Sequence, residues 1–307
     1  MSRRIAGLLG AVAMAATGLA FPPTAQAQSA AADPAYATCG EADHPFAEAA
    51  LKNADLIDTM EWAPFGVAEK GWEIYAPLLQ REIGVTCGFG TAVFAQGVAE
   101  LQTRHGLKSD GVFGPDTFTV LKGLLQERRP FVMARVRGEC PAAPATFIMT
   151  NLPGREDTYG REDRRLRGDA LVAYRAMVEA ARRDGVLARN PGALTIFSGY
   201  RQPDADGERC AIEGNCDGKR RAACSPHGTG YAVDLNLGHL PESRIDSTAP
   251  ANRLFQTRTE AYRWLVRNAH RFGFVNYVFE PWHWEWVGEA STAESVALPA
   301  VANQQAP

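Results

Sequence analysis

The sequence predicts an α+β protein, with an all-helical first part and a second part in which short strands mix with helices. Three observations lead there. Apolar residues recur at helical spacing in three successive segments between His44 and His105. A Pro/Ala stretch, Cys140-Pro141-Ala142-Ala143-Pro144-Ala145, then breaks the pattern. Beyond it, residues 231–237 and 282–287 alternate with the period of two that strands require.

In order, the chain begins with Arg3 and Arg4, an apolar run over 5–20, and the small-x-small site Ala25-Gln26-Ala27. That is a secretory signal peptide cut after Ala27. The apolar run is shorter than the roughly 20 residues a membrane span needs. A periplasmic or secreted protein is expected, with no stable membrane insertion after cleavage. An oxidising compartment suits the six cysteines, Cys39, Cys87, Cys140, Cys210, Cys216 and Cys224, whose pairing the sequence leaves open. Thirty-two basic against thirty-five acidic residues give a net charge of -3, so no nucleic-acid partner is expected. The basic cluster of residues 155–167 is interleaved with Glu156, Asp157, Glu162 and Asp163 and reads as a solvated surface.

Helices are predicted over 44–60, through Phe46, Ala49, Leu51 and Leu56, and over 72–83, through Trp72, Tyr75, Leu78, Leu79 and Ile83. A third covers 94–105, through Phe94, Val98 and Leu101, and Gly106 stops it. Asp110-Gly111 then supplies turn chemistry, and Pro115 suits the first turn of a helix carrying Phe118, Leu121 and Leu124. The order Phe94, Leu101-Gln102, His105-Gly106-Leu107, Asp110-Gly111-x-Phe113-Gly114-x-x-Thr117 resembles the small all-α peptidoglycan-binding domain over about 91–125. No sugar-stacking aromatic cluster accompanies it, so a packing role stays open beside wall binding.

In the second part, 169–183 reads as a helix through Leu171, Tyr174, Met177 and Ala180. Residues 194–197 form a short buried strand that runs into Ser198-Gly199-Tyr200-Arg201. The loop 202–224 is long, charged and cysteine-bearing. In 231–237, Tyr231, Val233 and Leu235 point one way and Asp234 the other. A helix over 259–271 buries Tyr262, Leu265, Val266 and Ala269. In 282–287, Trp282, Trp284 and Trp286 read as core, while His283 and Glu285 share the opposite face.

Two stretches carry the chemistry. Ser225-Pro226-His227-Gly228-Thr229-Gly230-Tyr231-Ala232-Val233-Asp234 and Glu280-Pro281-Trp282-His283 together offer two imidazoles and a carboxylate without cysteine. That donor set suits Zn2+ with an open position for water. His227, Asp234 and His283 are the expected metal ligands. Glu280, three residues before His283, is the candidate base. Glu285 is either a partner of a metal ligand or a surface charge. His44, His105, His239 and His270 read as structural.

The pattern Ser225-x-His227-x-x-Gly230-x-Ala232-x-Asp234 followed by Glu280-x-x-His283 resembles the zinc D-alanyl-D-alanine peptidases, VanY-like carboxypeptidases among them. The resemblance spans about 194–288. It implies a small antiparallel sheet with flanking helices, zinc on His227, Asp234 and His283, and Glu280 as catalytic base. Arg201, in the matching Ser-Gly-Tyr-Arg strand, inherits a catalytic and substrate-binding role, suited to an oxyanion or a carboxylate. Ser225 is a second substrate contact. The implied partners are peptidoglycan stem peptides, and the implied reaction is release of terminal D-alanine. Cross-link endopeptidase activity and a silent, zinc-containing wall-binding protein are the alternatives. The expected organisation is a signal peptide (1–27), a helical domain (28–135), a linker (136–148), a peptidase domain (149–290) and a mobile tail (291–307). Oligomeric state is not legible.

Overall fold

The computed structural model of the chain describes residues 39, 45–137, 143–202, 208, 211–212 and 225–288. The signal segment, the tail, His44, Cys140, Cys210, Cys216 and Cys224 lie outside them.

The first part contains α1 (Ala47–Thr59), α2 (Ala76–Ile83), α3 (Ala92–Arg104), α4 (Pro115–Glu127) and α5 (Pro130–Val136). A two-stranded ribbon, β1 (Glu61–Trp62) with β2 (Glu69–Lys70), interrupts the helices; its two-residue strands are too short to show a period. Thr91 caps α3 by accepting the Phe94 N–H at 3.3 Å. Pro115 starts α4, where its missing N–H costs no helical bond.

The turn between α3 and α4 is built by the residues of the peptidoglycan-binding-like motif. Gln102 Nε2 donates to Asp110 Oδ1, the Val112 carbonyl and Thr117 Oγ1, each at 3.1 Å, while its Oε1 accepts the Gly111 N–H at 2.9 Å. Asn53 of α1 reads the same turn, donating to the Gly111 carbonyl and accepting the Phe113 N–H. Gly111 has φ +72°, and a Cβ there would lie 2.7 Å from the Ala95 carbonyl oxygen, so glycine is required. A disulfide joins Cys39 to Cys87 and ties the chain before α1 to the loop before α3.

The second part opens with the antiparallel ribbon β3 (Met149–Asn151) and β4 (Arg165–Arg167), followed by α6 (Gly168–Arg183). Its centre is a four-stranded antiparallel sheet of order β5 (Ile196–Ser198), β6 (Ala232–Leu235), β8 (Glu280–Trp286), β7 (Phe274–Tyr277). Two helices, α7 (Pro250–Arg258) and α8 (Glu260–Asn268), precede β7. The α+β class and the small antiparallel sheet agree with expectation. The predicted 259–271 helix is shorter, because α8 passes into a 3-10 turn, Ala269–Phe272, that Gly273 closes at φ +81°. Neither α7 nor β7 showed a clear period.

Val233, Leu235, Trp282 and Trp284 are buried on the core side of the sheet, while Trp286, expected in the same stripe, is only partly buried against it. One hydrophobic cluster runs from Trp72, Tyr75 and Phe118 of the helical part to Tyr262 and Trp284 of the sheet part. Charged contacts cross the same boundary. Arg253 of α7 reaches Glu69 of β2 at 2.5 Å with both side chains buried, and the Phe65 and Phe279 rings sit 4.6 Å apart. Among the described residues no helix is long and apolar enough to cross a membrane.

Candidate metal centre

Three elements bring the donors together. His227 lies in a 3-10 turn, Pro226–Thr229, whose N-cap Ser225 accepts the His227 N–H at 3.3 Å. Gly230 ends that turn at φ +76°, and a Cβ there would meet Arg167 Cγ at 2.9 Å. The glycine therefore lets the chain fold back directly into β6, whose Asp234 lies seven residues after the histidine. Asp234 stands opposite His283 in the β6–β8 register. Ser198 of β5 stands opposite Asp234 on the other side.

His227, Asp234 and His283 are all buried, and each offers a ligand atom within 4.8 Å of the others. Asp234 faces both rings, with Oδ2 3.2 Å from His227 Nε2 and Oδ1 2.9 Å from His283 Nδ1. The second nitrogen of each ring is occupied elsewhere. His227 Nδ1–H donates to the Gly199 carbonyl at 2.7 Å, and His283 Nε2–H donates to Glu285 Oε1 at 3.0 Å. With these tautomers His227 turns Nε2, and His283 turns Nδ1, toward the aspartate. Two neutral nitrogens and a carboxylate oxygen with anchored outer hydrogen bonds are the donor set zinc takes, so the residues present fit the metal.

The protonation of the cluster follows from its burial and charges. Burial raises the Asp234 carboxyl, but His227 and His283 overcome it and hold the group well below the usual carboxylate range. Burial, then the Arg201 charge, depress His227. His283 is pushed down by burial yet lifted to about 9 by Asp234 and Glu285. A metal ion must displace that proton, so binding would release it. Glu285 is held at about 2, against the upward push of burial, by Arg129 and His283.

Arg201 follows β5, and its backbone N–H donates to the His227 carbonyl at 3.2 Å. Its guanidinium donates from Nη1 to Ser198 Oγ at 3.0 Å and from Nη2 to Ser225 Oγ at 3.2 Å. Ser225 thus both caps the histidine turn and holds the arginine. Glu280 is the first residue of β8, just past the turn at 278–279. Burial raises its carboxyl above the ordinary range; His283, Asp234, Arg129 and Arg201 all act on its charge. The structure therefore gathers every candidate site residue: Arg201, Ser225, His227, Asp234, Glu280 and His283. His105, His239 and His270 take no part.

Two contributors have no motif. Asn276 of β7 is buried and donates Nδ2 to the His283 carbonyl at 2.9 Å, at the irregularity where β7 and β8 change register. Arg129, between α4 and α5, grips Glu285, which is buried and also accepts from His283, so Glu285 is not a surface charge. The alternation that set Glu285 on the same face as His283 was its one signal. Nothing local signalled Arg129.

Fold and site together place a buried His-Asp-His donor set that could hold a metal ion on a small antiparallel sheet. Residues 163–289 match the family model described as VanY: D-alanyl-D-alanine carboxypeptidase. A D-alanyl-D-alanine carboxypeptidase of Enterococcus faecalis is 30% identical over 144 residues, covering 38% of this chain. The chain spans about half, 46%, of that relative's length. Among solved structures, LdcB LD-carboxypeptidase is 25% identical with a TM-score of 0.32, covering 43% of this chain and 64% of that one. VanYB in complex with D-alanine-D-alanine is 23% identical with a TM-score of 0.34, covering 52% and 88%.

Proposed function

We propose that the chain is a zinc-dependent D-alanyl-D-alanine carboxypeptidase that removes terminal D-alanine from peptidoglycan stem peptides outside the cytoplasm. The observation that carries the reading is the convergence of a buried His-Asp-His donor set with Glu280 and Arg201, within the segment that matches the VanY family. His227, Asp234 and His283 would hold the zinc. When bound, the metal would supply Lewis acidity to the scissile carbonyl and to the attacking water.

The chain's own residues account for the rest. Glu280 accepts the proton of the attacking water and delivers it to the leaving D-alanine nitrogen as the C–N bond breaks and the C–O bond forms. Its raised pKa makes it a better carrier near neutrality than a solvated carboxylate. Arg201, braced by Ser198 and Ser225, presents a fixed positive charge. That charge meets either the oxyanion that develops or the terminal carboxylate of the substrate. Wall anchoring by residues 91–125 belongs to the same reading, supported by the packing of α3 and α4 about a turn of the resembling sequence.

The test uses purified mature protein, a pentapeptide stem ending in D-Ala-D-Ala, and a coupled assay for free D-alanine. The zinc-loaded protein is expected to release D-alanine. Glu280→Ala is expected to lose at least about 100-fold in kcat while keeping its zinc. An intact pentapeptide beside cleaved cross-linked dimers would replace this reading with endopeptidase action. Unchanged turnover by Glu280→Ala would remove Glu280 from the mechanism.

A further inference from the structure

The helical part supplies one side chain to the surroundings of the metal centre. Arg129 sits in the junction between α4 and α5, where its N–H donates to the Gln126 carbonyl at 3.0 Å. Its Nε and Nη2 both donate to Glu285 Oε1, at 2.9 and 2.5 Å. The same oxygen accepts His283 Nε2–H at 3.0 Å. Nη1 donates to Gln126 Oε1 at 2.7 Å, and the Tyr277 ring covers the guanidinium with its centroid 4.1 Å away. The guanidinium is thus fixed from three sides, and both members of the pair are buried.

We propose that Arg129 is a positioning residue for the metal centre: by holding the Glu285 carboxylate it fixes the His283 ring with Nδ1 turned toward Asp234. The inference rests on the zinc reading of the site. A histidine ligand is oriented by the partner of its other nitrogen, and loss of such a partner weakens metal binding. Here the partner is itself a buried charge, and a buried carboxylate without a counter-charge draws in water or swings away. Glu285 Oε2 accepts no hydrogen bond among the described residues, so one oxygen serves both the arginine and the histidine. Removing Arg129 therefore releases the atom that orients the ligand. The consequence is that α4 and α5 belong to the active centre rather than to a detachable module.

The experiment measures zinc affinity of the full chain by competition with a chromophoric chelator, and the visible spectrum of the cobalt(II)-substituted protein. Circular dichroism checks the fold. Arg129→Met is expected to bind zinc about 10–100-fold more weakly, with an altered cobalt spectrum. Arg129→Lys, which keeps the charge but not the paired Nε and Nη2 contacts, is expected to fall between. Arg128→Met serves as control. Arg128 is equally buried, pairs with Glu82 at 2.6 Å, and makes no hydrogen bond to the site, so its loss is expected to leave zinc affinity within twofold of wild type.

If Arg129→Met fails to fold, the double variant Arg129→Met with Glu285→Leu decides, because it leaves neither charge unpaired. It is expected to bind zinc at least about tenfold more weakly than wild type. Zinc affinity within twofold of wild type in Arg129→Met or the double variant overturns the inference while the zinc reading stands. So does an equal loss in Arg128→Met. Wild-type protein that binds no zinc overturns the zinc reading itself.

Discussion

Replacing Arg253 by methionine tests whether the helical and sheet parts form one cooperative body. Arg253 is fully buried; its Nη1 reaches Glu69 Oε1 at 2.5 Å and its Nη2 reaches Tyr75 Oη at 2.9 Å. Glu69 Oε2 accepts from Tyr75 Oη–H at 2.7 Å, and the guanidinium lies 4.4 Å from the Phe279 ring centroid. Methionine occupies much of the vacated volume, so the cavity contribution is small. What remains is a buried Glu69 carboxylate with one neutral donor, and breaking such a pair costs about 3–5 kcal/mol. Against a total of about 5–15 kcal/mol, that is a large share. Urea unfolding followed by tryptophan fluorescence should show a single transition, shifted to lower urea by this amount with its slope unchanged. Adding Glu69→Leu removes the stranded charge and should return most of the loss. Two separate transitions, with only one of them shifted, would refute the reasoning. So would a loss below about 1 kcal/mol, since buried pairs cost more than that to break.

Two further outcomes follow from the same contacts. Because burial raises the Glu280 carboxyl, the acid limb of kcat/KM on a D-Ala-D-Ala peptide should lie above the ordinary carboxylate range. Activity should fall as pH drops through that raised value, since the base is then protonated; a limb at or below the ordinary range would argue against Glu280 as base. Gln102→Ala strands the Gly111 N–H and loosens the turn, so it should destabilise by about 1–3 kcal/mol in urea unfolding. An unshifted midpoint would mean that the turn holds without its glutamine.

What was legible in the sequence divides by range. His227, Asp234, Glu280 and His283 could be read because their chemistry is carried on short stretches whose spacing is set by one turn and two strands. The helices α3, α4 and α6 were legible because each buries an apolar stripe, and Pro115 marks the start of α4; α1 was legible in position, but Leu51, expected on its apolar face, is exposed while Asn53 is buried. The strand β7 was not, because Phe274 to Asn276 are all buried and carry no alternation. The helix α7 was hidden for a different reason: its buried residues include Asn252, Arg253, Gln256 and Thr257, and the first three form hydrogen bonds to residues outside the helix. Apolar periodicity is blind to a polar face that is buried by hydrogen bonding.

The same limit applies to the Pro/Ala stretch. A linker composition signals a local loss of regular structure. It says nothing of contacts between residues far apart in sequence. Glu69 with Arg253, Glu73 with Arg258 and Arg129 with Glu285 are each separated by more than 150 positions, and each spans the two parts. Two of these pairs are almost wholly buried, so separating the parts would expose apolar surface and also strand ions in it. A wall-binding role for residues 91–125 would therefore have to be exercised from the outer surface of this body, with α4 and α5 still holding Arg129 against Glu285.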